Sequence, residues 1–184
     1  MKKRSFLFLL LICLCAGNIF AQIQKPNLSG TWQLNLEKSK LDEFGKQSFE
    51  DGFFEKLQMQ ISQQRSNIII TDRVIPKKDT SEEELQIRYQ FVTDGKIRLL
   101  KGLDGSISNP DDGFYKGFWF QNRLVIKLFS NDEKILKKTL MGTIEFSLSA
   151  NKKDLMRVTR VFAENSFNGS RIGDSVMVYN LLEK

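Results

Sequence analysis

The stretch 84-ELQIRYQFVTDGKIRLL-100 decides the fold class. Leu85, Ile87, Tyr89 and Phe91 alternate with Gln86, Arg88 and Gln90, so one side of this segment is apolar and the other polar. A period of two belongs to a β-strand, whose successive side chains point to opposite faces of a sheet. Asp94-Gly95 then interrupts the pattern before Ile97 to Leu100. Asp-Gly favours a tight turn, so the residues predict two strands joined as a hairpin.

The same pattern recurs outward from this stretch. Leu57, Met59 and Ile61 alternate with Gln58 and Gln60, and Ile144, Phe146 and Leu148 alternate with Glu145 and Ser147. Leu124, Ile126 and Leu128 repeat the spacing, and 67-NIIITDRVI-75, 114-FYKGFWF-120, 155-LMRVTRVF-162 and 176-VMVYNLL-182 read as further strands. Val, Ile, Phe and Thr dominate these runs, as a half-buried pleated surface favours. Turns are expected at Gln121-Asn122, at Asn131-Asp132 and across Asn151 to Asp154. Glu37 to Gly52 has room for one short helix, and Gly102 to Gly113 reads as a loop. With the strand at Trp32, this makes about eight to ten strands on mostly short connections. That spacing predicts an all-β fold, an antiparallel up-and-down β-barrel, because closure removes exposed strand edges.

The N-terminus carries a different signal. Met1-Lys2-Lys3-Arg4 is a short cationic start, Phe6 to Ala16 is apolar, and Ala21 offers a small residue for cleavage. Residues 1–21 therefore read as a signal peptide and 22–184 as a single domain. The protein is expected to be exported, periplasmic or extracellular, with membrane contact only through the signal peptide. Cleavage lowers the formal charge from +6 to +3 and removes both cysteines, Cys13 and Cys15. An exported domain without disulfides relies on its core, which 163 residues can supply.

Absent residues narrow the chemistry. The chain has no histidine, and no cysteine follows Cys15. Ser-His-Asp and Cys-His nucleophile arrangements are excluded, and so are the usual zinc, copper and haem ligand sets. No enzyme activity, metal or cofactor is expected. Asp104, Asn109, Asp111 and Asp112 lack the spacing of a calcium loop. A charge of +3 with no basic-aromatic stripe gives no reason to expect nucleic acid as a partner.

The first strand, 28-LSGTWQLNLEKSK-40, adds a family likeness. Gly30 lets the backbone bend and Trp32 can plug one end of a barrel. With Leu34-Asn35-Leu36-Glu37-Lys38-Ser39, the turn Thr93-Asp94-Gly95-Lys96 and the late Phe146-Ser147-Leu148-Ser149, the chain resembles the lipocalin-like (calycin-type) β-barrel proteins exported by bacteria. The fuller lipocalin pattern has a Thr-Asp-Tyr turn, which is missing here, and a late Arg stacked on the Trp, for which Arg157, Arg160 and Arg171 are candidates. The resemblance implies small-molecule binding.

The residues expected to carry that binding follow from alternation. Arg160 shares a face with Met156, Val158 and Phe162; turned inward, it would hold an anionic head, and the alternatives are stacking on Trp32, a protein carboxylate partner, or a bulge that turns it outward. Ile87, Tyr89, Phe91 and Ile126 would line the apolar body, and Gly30 and Trp32 would form the floor. The expected partner is a small hydrophobic or amphipathic anion. The alternative is a protein-interaction or structural module of the cell envelope, its barrel filled by its own twelve mature-chain phenylalanines. The aromatic run 114-FYKGFWFQ-121 is read as core with one exposed indole.

Overall fold

The computed structural model describes residues 25–41, 43–50, 54–77, 83–100, 113–130, 140–162 and 171–183. Residues 1–21, read as a signal peptide, both cysteines, the acids from Asp104 to Asp112 and the turn expected at Asn131-Asp132 lie outside them. The strands are β1 (Gly30–Lys40), β2 (Phe54–Gln64), β3 (Asn67–Pro76), β4 (Leu85–Val92), β5 (Ile97–Leu99), β6 (Phe114–Phe120), β7 (Arg123–Phe129), β8 (Leu140–Leu148), β9 (Asp154–Phe162) and β10 (Arg171–Glu183). One helix, α1 (Glu43–Glu50), falls where room for it was expected.

All ten strands form one antiparallel sheet in the order β4-β3-β2-β1-β10-β9-β8-β7-β6-β5. Each strand pairs with its neighbour in sequence, and β1 pairs with β10, with one exception. The stretch read as a hairpin does not pair: β4 and β5 are the two ends of the sheet. The sheet is therefore not closed, which corrects the expectation of a closed barrel. The backbone groups near Asp94-Gly95 are satisfied elsewhere. Thr93 N–H donates to Ser66 O at 2.8 Å and Gly95 N–H to Gly117 O at 2.9 Å. Val92 N–H donates to Tyr115 Oη at 3.0 Å. A Cβ on Gly117 would lie 2.9 Å from Val92 O, so a side chain there would push β4 and β6 apart.

The sheet curls so that its inner face meets itself. Trp32 and Leu34 of β1, Met59 and Ile61 of β2, Ile68 and Ile70 of β3, Leu124 and Ile126 of β7, Phe146 of β8, Leu155 of β9 and Tyr179 of β10 are all buried in one cluster. The registers place them consistently, with Trp32 opposite Met59, Leu34 opposite Tyr179, and Leu124 opposite Phe146. Trp32 Nε1–H donates to Leu28 O at 3.0 Å, which satisfies the indole inside the core. Gly30 has φ +148, and a Cβ there would meet Glu183 O and the Leu181 side chain at 2.9 Å. Only glycine suits that position, both by conformation and by space.

The Leu-Asn-x-x-Lys-Ser segment forms a wide bulge. Asn35 pairs with Val178 but Lys40 with Val176, so four residues of β1 stand opposite one of β10. Side chains replace the missing ladder bonds. Ser39 Oγ accepts from Val178 N–H at 2.9 Å and donates to Asn35 O at 2.6 Å, and Lys38 N–H donates to Asn35 Oδ1 at 3.0 Å.

Candidate functional site: an interior cavity with a half-buried ion pair

Core packing thins along the inner face. On β1 the exposure of Trp32, Leu34 and Leu36 is 2%, 8% and 47%; on β4 it is 4% at Phe91 and 54% at Leu85. Between the packed and exposed ends lies a cavity of about 120 Å³. Ile70, Asp72, Tyr89 and Phe91 form its wall on β3 and β4, and Ile126, Ile144, Phe146 and Arg157 form the facing wall on β7, β8 and β9. Leu100 and Leu128 complete the lining. Phe91 is held edge-on by Tyr115, ring centres 5.1 Å apart, so this wall is built of fixed aromatic surface.

One polar feature crosses the apolar interior. Arg157 Nη1 donates to Asp72 Oδ2 at 2.9 Å, linking β9 to β3 across the curl of the sheet. The Arg157 guanidinium also lies 5.8 Å from the Phe146 ring centre. Burial works against the Arg157 cation, but the Asp72 carboxylate and then Tyr179 more than offset it and raise its pKa above the ordinary arginine value. The Tyr179 phenol is pushed up to about 12, chiefly by burial, with Arg157 pulling it the other way. Two atoms of the pair, Asp72 Oδ1 and Arg157 Nε, are buried with no hydrogen-bond partner among the described residues.

No family model and no curated protein matches the chain.

Of the expected site residues, Tyr89, Phe91 and Ile126 line the cavity. Ile87 stands opposite Asp72 in the β3–β4 register, on the inner face but outside the lining. Gly30 and Trp32 sit at the packed end. Arg160 is not brought to the cavity. Leu155 is fully buried and Met156 is 39% exposed, so the inner phase of β9 carries Leu155, Arg157 and Thr159, and Arg160 lies on the outer face. There its Nη1 pairs with Glu145 Oε1 of β8, and Arg123 takes the other oxygen at 3.0 Å. Of the alternatives to a ligand head, the protein carboxylate partner is what the geometry shows, with Arg160 turned outward by the phase of β9 and not by a bulge. Among the aromatics of β6, Tyr115 is buried and Trp119 packs against the core, so the exposed ring is Phe120 and not an indole.

Sequence reasoning missed Asp72, Arg157 and Tyr179 as a set. A signal existed at Asp72, an acid on the phase of Ile68, Ile70 and Val74. Arg157 was a candidate only for the late Arg stacked on Trp32; the ring its guanidinium lies over is Phe146, and its inward phase was hidden because the other phase of β9 is the more apolar one. Among the described residues, no group of three or more His, Cys, Asp or Glu side chains gathers as a metal site.

Proposed function

We propose that the chain is an exported small-molecule binding or carrier protein built as a lipocalin-like barrel. Export rests on the cationic start, apolar run and small residue of Met1 to Ala21. The barrel rests on the meander order, the β1–β10 pairing and the ion pair from β3 to β9, which have three strands between them in the sheet order. Val92 bonding to Tyr115, and Gly95 to Gly117, draw the two sheet ends together without a ladder.

The observation that carries the binding function is the interior cavity between the facing walls of β3–β4 and β7–β9. It combines apolar and aromatic surface with a small number of polar groups, the usual make-up of a ligand pocket. Binding, not catalysis, suits a chain without histidine and with cysteine only in its first 15 residues. In this reading the polar end of the cavity is supplied by Arg157 with Asp72, and not by Arg160.

A second reading has one observation in its favour. About 120 Å³ is below the roughly 300–1,000 Å³ of typical ligand pockets, as a side-chain-filled envelope module would show. Native mass spectrometry of the protein purified from its own host separates the two. A copurifying small molecule is the expected result; a bare polypeptide mass in every preparation would favour the filled module.

A further inference from the structure

The outer faces of the two arms of the sheet differ. On β2–β4 the side chains turned away from the core are polar: Gln58, Gln60, Thr71, Arg73, Gln86 and Arg88 are neighbours in the register, as a face in water requires. On β5–β7 the outward phase is apolar and cationic. Tyr115, Leu124 and Ile126 take the inward phase and are buried. Outward, Ile97 and Leu99 of β5 are 48% and 45% exposed, and Phe120 of β6 is 53% exposed. Phe118 stands opposite Val125 and Phe120 opposite Arg123, so this surface is continuous across the strands.

Lys116 and Lys127 occupy its middle. They stand directly across from each other on β6 and β7, a position where like charges repel. Both ammonium groups lie 5.9 Å from the centre of the same Phe118 ring. Neither has an ion-pair partner among the described residues. Arg123 adds a third cation, 5.9 Å from the Phe120 ring centre. Glu145 is the one carboxylate in the strands β5 to β8, and Arg123 and Arg160 already share it. Uncompensated positive charge is thus set among exposed apolar side chains.

These two properties together select the partner. A soluble anion would neutralise the lysines but leave Ile97, Leu99 and Phe120 in water. A second copy on the same face would bring lysine against lysine across a twofold axis, and protein interfaces are depleted of lysine. An anionic bilayer meets both demands: its phosphates take the cations, and its acyl boundary takes the apolar side chains. We infer that the outer face of β5–β7 docks on a bilayer carrying anionic lipid, with Lys116, Lys127 and Arg123 on the head groups and Ile97, Leu99 and Phe120 at the acyl boundary. This contact is additional to the one expected of residues 1–21, and it does not depend on what the cavity holds.

The test is flotation with vesicles of phosphatidylglycerol and phosphatidylcholine in equal parts, and with phosphatidylcholine alone. It uses the chain as recovered from its host, so that residues 1–21 contribute equally, or not at all, to wild type and variants. The wild type should bind the anionic vesicles more tightly and be released from them as salt rises from about 0.05 to about 0.5 M. Lys116→Gln combined with Lys127→Gln should weaken that binding about 25-fold, roughly fivefold for each cation. Arg88→Gln, on the polar arm, should leave it unchanged. A second readout does not need the lysine variant to fold. Phe120→Trp places an indole on an exposed position, and its emission should shift to shorter wavelength on anionic vesicles, whereas that of Gln60→Trp should not. No flotation of the wild type, or flotation that the double lysine variant retains in full, would overturn the inference. A shift at Gln60→Trp without one at Phe120→Trp would also overturn it. A dimer in sedimentation equilibrium that Phe120→Gln dissociates would assign the face to a second copy and overturn it as well.

Discussion

Two arginines on β9, Arg157 and Arg160, face opposite sides of the sheet, and each pairs with a half-buried carboxylate. Arg157→Met leaves Asp72 in the interior without its ion-pair partner, and stability should fall by about 1–3 kcal/mol. Arg160→Met leaves Glu145 its second partner, Arg123, so a smaller loss of up to about 1 kcal/mol is expected. Urea unfolding of both variants checks this, and a larger loss for Arg160→Met would contradict the assigned roles. Trp32→Ala removes a packed indole and its bond to Leu28, so a loss of about 3–5 kcal/mol is expected by the same measurement. Tyr179 supplies a pH dependence. Its folded pKa of about 12 lies above the ordinary 10.0. Folding therefore favours the neutral phenol, and the stability tied to that form is complete below pH 10. It is lost as pH rises from there through about 12, at roughly 1.4 kcal/mol for each step of one in pH. Ultraviolet titration should show one of the three tyrosines ionising only together with unfolding, and Tyr179→Phe should remove that late step.

Strand pairing is maintained by side chains at two places where the ladder fails. In the β1 bulge, Ser39 Oγ stands in for a strand and holds Val178 N–H. At the β4–β6 contact, Tyr115 Oη holds Val92 N–H and links the ends of the sheet. Tyr115→Phe keeps the ring that packs on Phe91 but leaves the amide unpaired, so stability should fall by about 1–3 kcal/mol. Amide hydrogen exchange should accelerate at Val92 and Thr93 while the β9–β10 amides stay protected. Unchanged exchange at Val92 would show that the seam does not depend on this phenol. Asp94-Gly95 shows why a local turn signal was insufficient. The dipeptide does turn the chain, but β5 continues along β6 while β4 remains on β3.

In the whole molecule, the first and last strands lie side by side. β10 has β1 on one side and β9 on the other, so it joins the two arms of the meander. Deleting residues 171–184 would expose both flanking edges and remove Tyr179 from the core. The truncated chain should lose its cooperative unfolding transition and dispersed amide spectrum; a retained sharp transition would mean that β1–β4 or β5–β9 folds as a separate unit. The ion pair has the same long-range character, with Asp72 and Arg157 85 residues apart in the chain.

The strands themselves were legible in the residues. Alternation located β2, β3, β4, β6, β7 and β9 closely, because each buries one face and period two follows directly from the pleat. Three of the cavity-lining residues, Tyr89, Phe91 and Ile126, were found by the same means. The phase of β9 was not legible. Met156, Val158 and Phe162 form the more apolar set, yet the inner face took Leu155 and Arg157, because Asp72 on a distant strand makes the half-buried cation tolerable. Local hydrophobicity cannot encode such a compensation between remote residues. The open seam was hidden for a similar reason: whether β4 meets β5 is decided by hydrogen bonds to Tyr115 and Gly117, which exist only once the sheet has curled.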